Sequence, residues 1–511
     1  MNKNPGGPTS PEAGAKRTVH IMADRFSPQS GGRTRATFLR ARELSQSGHD
    51  VAILTFNYRL DYADVWAGWA SKSRLGRKVR HLNIFEHYAG EELGSFGASV
   101  VFDGAGRGAL REVREGVWER RQEGKLESRF VTRPDGSLGY IDYFRDGVRR
   151  IHANYDQQER LRVETRHTED GKTIESRTYR TASGRLFLEV GYRDGKPAGH
   201  RLYGRDGVAV DYASEFAFRA AWVDELHRGV PGSVFVSEDR RLDGLLVQNP
   251  HSSDITSVCA IHSTHLAPPY QDVHDLATYN DSALRRASKF DAIVLLTDRQ
   301  RSDIEEHYGT LPNAVVIPHA VSAPWRYRFP RRRRNIVVVT RLVPVKRVQD
   351  TIDAFATVAA AHPDVNLEIW GSGEELERLT AHAASAGLAQ RVEFKGYTAK
   401  PLDVYSRALF SVSSSLTEGM GLSTCESLSV GTPVASYDYR YGARDLIQDG
   451  VNGYLAEDGD VEGLGQAMAR LLSSPARLRR MSRASRGILR THSRKNYRRA
   501  WETLLDGVGQ E

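Results

Sequence analysis

Cysteine is almost missing from this chain: Cys259 and Cys425 are the only two in 511 residues. Two isolated thiols make neither a disulfide framework nor a zinc motif, which fits a reducing compartment and argues against a small stapled fold. Cys425 reads as a small packed helix residue. No run of about 18 apolar residues occurs, so no transmembrane helix is expected. The opening segment MNKNPGGPTSPEAGAKR has no apolar stretch of the kind a secretory signal needs. It reads as a disordered leader over 1–16, which argues against export. The first glycine-rich loop also lacks the G-x-G-x-x-G dinucleotide fingerprint.

What is present exceeds one core. At roughly 100–200 residues per domain, this length implies about two or three domains. The 40% hydrophobic and 27% charged fractions are those of a soluble globular protein. Lys and Arg number 72 against 64 Asp and Glu, for a net charge of +8. Such an excess favours polyanionic partners without choosing among nucleic acid, anionic lipid and a phosphate-rich polymer. The basic clusters Arg331 to Arg334 and Arg477 to Arg499 read equally well as contacts for such a partner or as a solvated face or linker.

Along the chain, Thr18 to Met22 predicts a strand, Thr34 to Ser47 a helix ended by Gly48, and Val51 to Thr55 a second buried strand. Gly31 and Gly32 sit in the connecting loop, where backbone can approach a ligand closely, although glycine also serves ordinary turns. From 100 to 212 the pattern changes to short alternating runs punctuated by Asp-Gly and Ser-Gly, the signature of successive hairpins. This antiparallel meander has few residues for a deep core. One of its faces needs a cover from the main body, another subunit or an extended acceptor.

A helix over Glu215 to Arg228 resumes the first domain. Val234 to Ser237, Gly244 to Gln248, Thr256 to Ile261, Asp291 to Leu296 and Ala314 to Ile317 read as strands, with a helix from Arg299 to Tyr308. His262 follows a strand's carboxyl end, where ligands bind in open α/β sheets. His265, three residues on, is the alternative; either could instead be a structural histidine.

After a Pro/Arg-rich linker over 324–334 a second α/β unit begins. Ile336 to Thr340 is a strand covered on both faces. Arg341 and Lys346 follow it, and two cations around a short loop can clamp a diphosphate, although surface solvation would also explain them. Further strands are Asn366 to Trp370, running into Gly371-Ser372-Gly373; Val392 to Phe394, leading to Tyr397; one through Leu409, Phe410 and Val412; and Val434 to Tyr437. Gly453-Tyr454-Leu455 reads as a final turn and edge. Glu418 lies at a strand end beside Gly419, Gly421 and Leu422, and Glu426 about two turns into the next helix. Carboxylates accept hydrogen bonds only, so they suit the adjacent hydroxyls of a sugar or ribose. Acidic residues near helix starts also occur for purely structural reasons.

The combination of Gly31-Gly32, His262, Arg341 with Lys346, Gly371-Ser372-Gly373 and the E-x7-E pair Glu418 and Glu426 resembles the retaining GT-B glycosyltransferases of the glycogen-synthase-like superfamily. The segment Tyr441 to Leu455 and the hairpin-rich insertion look like the bacterial wall teichoic acid α-glycosyltransferases. Two departures stand out: Met420 where the broad family has Phe, and Gly442-Ala443-Arg444 where this branch tends to carry Gly-Pro-Ser.

The resemblance implies two Rossmann-like doubly wound domains with a cleft between them and an inserted antiparallel β-meander. On this reading 17–99 and 213–323 form the acceptor domain and 100–212 the insertion. Residues 335–484 form the nucleotide-sugar domain, and 485–511 a helix crossing back to the first domain. It implies transfer of glucose or N-acetylglucosamine from a UDP-sugar, with retention, to a hydroxyl of a polyol-phosphate polymer. By position, Arg341 and Lys346 hold the diphosphate, Glu426 the ribose and Glu418 the donor sugar. His262 lies against donor sugar and acceptor, and Gly31-Gly32 closes over the phosphates. Gly371, Gly373, Tyr397, Gly419, Gly421 and Leu422 complete the donor site.

No D-x-D motif sits at a strand end of the second domain, so metal independence is expected and the UDP-sugar is a co-substrate. The expected partners are the donor, the polymer and further copies of the chain joined through the insertion. Nucleic acid is not expected, and the location is cytoplasmic, with peripheral association at the inner membrane face left open. Two other readings stand beside this one: the same chemistry on a protein, lipid or secondary-metabolite acceptor, and a non-catalytic polyanion-binding assembly module.

Overall fold

The computed structural model describes residues 16–29, 31–90, 110–324 and 335–509. Most of the expected leader and linker, the Arg331 to Arg334 cluster and the first residues of the insertion, 100–109, lie outside them.

Seven parallel strands form the first sheet, in the order Ala314–Val316, Ala292–Leu295, Thr256–Ala260, Val234–Ser237, Thr18–Met22, Asp50–Thr55 and Val79–Asn83. Their central runs are apolar because both faces are covered: Val19, Ile21, Val234, Phe235, Val236 and Val258 are wholly buried. Two of the helices around this sheet start at side-chain caps. The Thr297 side chain accepts from the Gln300 N–H ahead of Asp298–Tyr308, and the Ser214 side chain from the Ala217 N–H ahead of Glu215–Gly229.

One expected strand is a helix. Gly244–Val247 is a single helical turn with Leu245, Leu246 and Val247 buried. A short apolar run has the same appearance in either state. The neighbouring strand Val234–Ser237 is already paired on both sides, with Thr18–Met22 and Thr256–Ala260, so it offers no open edge. Conversely, Val79–Asn83 escaped the sequence reading because its alternating polar residues carry no strong apolar run; it is one of the sheet's two edge strands.

The second sheet has six parallel strands in the order Val392–Gly396, Leu367–Trp370, Asn335–Val339, Ala408–Ser413, Val434–Tyr437 and Gly453–Ala456. The expected edge at Gly453 is thus a short edge strand. Across one face, the helix Val461–Leu472 buries Leu464, Ala467, Met468 and Leu471 with Ile352 and Phe355 of Val348–Ala359. Each large side chain buried in this way contributes about 1.5–3 kcal/mol.

The insertion is a ten-stranded antiparallel meander, Leu110–Arg114 through Ala209–Tyr212, in sequence order across the sheet. Its Asp-Gly signals form tight turns: Asp146 and Gly147 have φ of 51° and 78°, and Asp194 and Gly195 have 51° and 72°. Two successive positive φ values match the right-handed strand twist of a two-residue hairpin. The main body covers one end of this sheet. Val163, Tyr179, Phe187, Leu188 and Val190 share a core with Phe56, Ile84, Phe218 and Trp222. At the other end Phe130, Leu138 and Ile141 cluster with Leu110, Trp118 and Tyr155.

After the second sheet the chain returns to the first. The expected crossing helix is split into Ile488–Thr491 and Arg494–Gly507, because Ser493 begins a new helix by accepting from the Asn496 N–H. Tyr497, Trp501, Leu504 and Leu505 pack among Val19, Phe38, Ala41 and Leu44. Buried Arg17 donates to the carbonyls of Leu505 and Val508 at 2.9 and 2.8 Å, satisfying the helix's last acceptors.

Candidate active site

The carboxyl ends of both parallel sheets open on one cavity of about 720 Å³, within the range of a nucleotide-sized ligand site. Parallel topology explains the convergence: every strand-to-helix loop of a sheet emerges at the same end, so residues distant in sequence meet there. Gly31, Gly32, His262, Arg341, Lys346, Gly371, Tyr397, Glu418, Gly419, Gly421 and Leu422 all line it. Gly373 and Glu426 do not.

On the second sheet's side, the Lys346 ammonium donates to Glu418 Oε1 at 2.5 Å, and the Ser415 hydroxyl donates to the same oxygen at 2.9 Å. Two ammonium protons remain for other acceptors. Arg341 is exposed and has no ion pair among the described residues. A Cβ on Gly371 would stand 1.8 Å from the Thr340 carbonyl oxygen, and one on Gly373 2.1 Å from that of Leu342. These glycines let the two neighbouring loops pack backbone to backbone, which brings Arg341 to the rim.

On the first sheet's side, Glu238 follows the strand Val234–Ser237 and accepts from both His262 Nε2–H and the Arg40 guanidinium. Arg40 lies 4.1 Å over the Trp501 ring of the returning helix and donates to the Tyr497 hydroxyl. The ring of His319 stacks on His262 at 5.5 Å with 7° between planes. Burial, then Arg40, Arg240 and Arg33, hold the His262 pKa well below the usual imidazole range. A neutral ring with Nε2–H directed at a carboxylate is the result. The two histidines differ in place: His262 lines the cavity. His265 is wholly buried, stacks on Tyr441 at 5.8 Å and does not line the cavity.

The two sides meet closely. A Cβ on Gly419 would be 2.2 Å from the His262 carbonyl oxygen, and Met420 packs beside Leu296. Asp303 accepts from Arg440 and Tyr441, both at 2.7 Å. Gly421, at φ +90°, lies against the Tyr439 hydroxyl and begins the helix Leu422–Ser429, so Glu426 stands in that helix's second turn. Its carboxylate is 2.5 Å from Arg35 of the opposite side. Burial raises the Glu426 pKa, and Arg35 opposes that rise. Arg444, the departure at the Gly-Pro-Ser position, is exposed and pairs with Asp438 at 2.5 Å. It does not line the cavity. Cys425 is buried, as expected of a packed helix residue.

Sequence reading missed Glu238, His319, Arg33, Arg35 and Arg240, all of which line the cavity. The strand-end rule that singled out His262 applies equally to Glu238 and His319. The basic residues after Gly31-Gly32 carried no signal, because arginine in a first helical turn is common on solvated faces. Among the described residues no group of three or more His, Cys, Asp or Glu could hold a metal ion, and no helix is long and apolar enough to cross a membrane.

Residues 323–487 match the family Glycosyl transferases group 1. Over 93% of this chain and 73% of its own length, a poly(glycerol-phosphate) alpha-glucosyltransferase of Bacillus subtilis is 24% identical. A poly(ribitol-phosphate) alpha-N-acetylglucosaminyltransferase of Staphylococcus aureus is 21% identical over 96% of this chain and 100% of its own. The crystal structure of TarM superposes with a TM-score of 0.84 at 19% identity, covering 97% of this chain and 99% of that one. The pneumococcal O-GlcNAc transferase GtfA, in complex with UDP and GlcNAc, gives 0.79 at 17% identity over 96% and 98%. With its two parallel sheets facing one cleft, the chain has the GT-B fold of these structures, and its second α/β unit is the part that matches the group 1 glycosyl transferases.

Proposed function

We propose that the protein is a retaining glycosyltransferase that moves glucose or N-acetylglucosamine from a UDP-sugar to a hydroxyl of a polyol-phosphate polymer. One observation carries the chemistry: Lys346, joined to Glu418, and Arg341, without an ion pair among the described residues, line a single cavity with His262. Arg341 and the two free protons of Lys346 receive the diphosphate and the charge that builds on departing UDP. Glu418 takes donor-sugar hydroxyls, Glu426 the ribose, and His262 lies beside the acceptor. The acceptor oxygen attacks the anomeric carbon on the face from which UDP leaves, and a leaving phosphate oxygen takes its proton. No protein nucleophile is needed, and the reaction is metal-independent.

The acceptor class rests on the two polyol-phosphate glycosyltransferases that align over nearly the whole chain, insertion included, and on the net charge of +8. GtfA subunits of peptide N-acetylglucosaminyltransferases also align, over 45% of the chain for Streptococcus gordonii and 59% for Limosilactobacillus reuteri, so a protein acceptor is the second reading. We take 17–99 with 213–323 as the acceptor domain and 335–484 as the donor domain. The far end of the inserted sheet, around Phe130 and Ile141, joins copies of the chain or holds a long acceptor. A cytoplasmic location, at or near the inner membrane face, follows from this substrate pair.

The deciding experiment measures UDP release from UDP-glucose and UDP-N-acetylglucosamine with purified poly(glycerol-phosphate), poly(ribitol-phosphate) or a serine-rich peptide as acceptor. Polymer-dependent release with an α-linked product supports the reading. Release stimulated only by the peptide overturns the acceptor, and a β-linked product overturns retention. Light scattering of the intact protein reads the subunit number.

A further inference from the structure

Arg35 stands between the cavity and the carboxylate expected to hold the ribose. It lines the 720 Å³ cavity, whereas Glu426 does not. Both line a separate cavity of about 170 Å³ behind the pair, together with Leu39, Leu402 and Arg494. The guanidinium is 2.5 Å from Glu426 Oε1, and the two side chains are 37% and 13% exposed. Among the described residues Arg35 is the hydrogen-bond partner found for that carboxylate. The two groups belong to opposite sides of the cleft, Arg35 to the first turn of Gly32–Gln46 and Glu426 to Leu422–Ser429.

We propose that Arg35 is a specificity-determining latch. With the cleft empty it holds Glu426; a nucleoside diphosphate displaces it through the ribose hydroxyls and gives its guanidinium a phosphate in exchange. The inference rests on the ribose role of Glu426 given above. Its physical content is an exchange of partners. A ribose that takes Glu426 must break a charge-assisted hydrogen bond, which is stronger than a neutral one, and leaves an arginine without a counter-charge. A diphosphate supplies that counter-charge at the place where the helix of Arg35 begins, because Gly31 and Gly32 lie at the cavity wall just before it. A nucleoside without phosphate breaks the same pair and returns nothing. Arg35 therefore makes binding depend on ribose and diphosphate jointly and discriminates against the bare nucleoside. A ligand shifts such an equilibrium only by its difference in affinity for the two states, so the effect appears as an affinity ratio.

Calorimetric titration of the full chain with UDP and with uridine tests the proposal. In Arg35→Met the uridine affinity rises at least about fivefold, since Glu426 is free, and the UDP affinity falls or stays level. The UDP-to-uridine ratio then shrinks at least about fivefold. Arg35→Lys, which keeps a cation at lower directional cost, gives an intermediate ratio and guards against misfolding of the methionine variant, which thermal unfolding monitors. An unchanged ratio in both variants, or a uridine affinity that falls with the UDP affinity, overturns the latch. Glu426→Gln separates this failure from that of the underlying reading. It weakens UDP and uridine alike when Glu426 holds the ribose, and it leaves both unchanged when Glu426 does not.

Discussion

The Lys346 ammonium and the Glu418 carboxylate, 2.5 Å apart, tie together the loops that leave two adjacent strands, Asn335–Val339 and Ala408–Ser413. The pair is largely sheltered, with side chains 11% and 18% exposed. Each residue fixes the other's position before any ligand arrives, so the proposed phosphate-binding cation and the proposed sugar-binding carboxylate are set by one contact.

Lys346→Ala, Glu418→Ala and His262→Ala each lower turnover by at least about 100-fold, the scale of losing one preorganised transition-state contact. Acceptor-dependent UDP release reads the loss, and circular dichroism checks the fold. Turnover near that of the parent protein in well-folded variants contradicts the site assignment.

Glu238→Gln destabilises the protein as well as slowing it. Arg40 is 2% exposed and would keep a buried charge without its partner, a change that costs about 3–5 kcal/mol. The melting temperature falls, and His262 loses the acceptor that orients its ring. A variant with unchanged melting temperature shows that Arg40 finds another partner.

Gly419→Ala forces the two sides of the cleft apart, since the new Cβ would lie 2.2 Å from the His262 carbonyl oxygen. At least a tenfold loss in kcat/KM is expected, from a misplacement on the order of 1 Å. Gly31→Ala meets no atom within 4 Å and keeps φ at −86°. It folds normally, and its loss of UDP affinity reports how closely the phosphates approach that loop.

Acid weakens the fold through buried histidines. Burial lowers the pKa values of His20, His81 and His265 to about 4 from 6.5. The unfolded chain takes up protons as pH falls through 6.5 while the folded protein does not. The stability these residues confer is complete above 6.5 and is lost progressively between 6.5 and 4. Between pH 7 and pH 5 each contributes a loss of up to about 2 kcal/mol. Denaturant unfolding at both values measures it, and His81→Phe flattens the dependence.

Chelation with EDTA leaves UDP release unchanged if, as proposed, Arg341 and Lys346 neutralise the diphosphate charge that a divalent ion would otherwise neutralise. Activity lost on chelation and restored by magnesium or manganese refutes metal independence.

Local pattern told much of the architecture before any coordinates. Uninterrupted apolar runs such as Val234 to Ser237 mark doubly covered parallel strands, and Asp146-Gly147 and Asp194-Gly195 mark hairpins, because these depend on neighbouring residues alone. Strand-end position was enough to nominate His262, Arg341, Lys346 and Glu418, since parallel topology sends all such residues to one rim. Tertiary structure alone decided the rest. Gly244 to Gln248 could not be read as helix because its alternative lay in which edges of Val234–Ser237 were already taken. Glu238 gained its meaning from Arg40 and from a helix more than 250 residues further on. Arg35 looked like any arginine in a first helical turn until the fold set it 2.5 Å from Glu426, 391 residues away. Spacing along the chain records what a residue can do; only the packing of two sheets face to face determines what it meets.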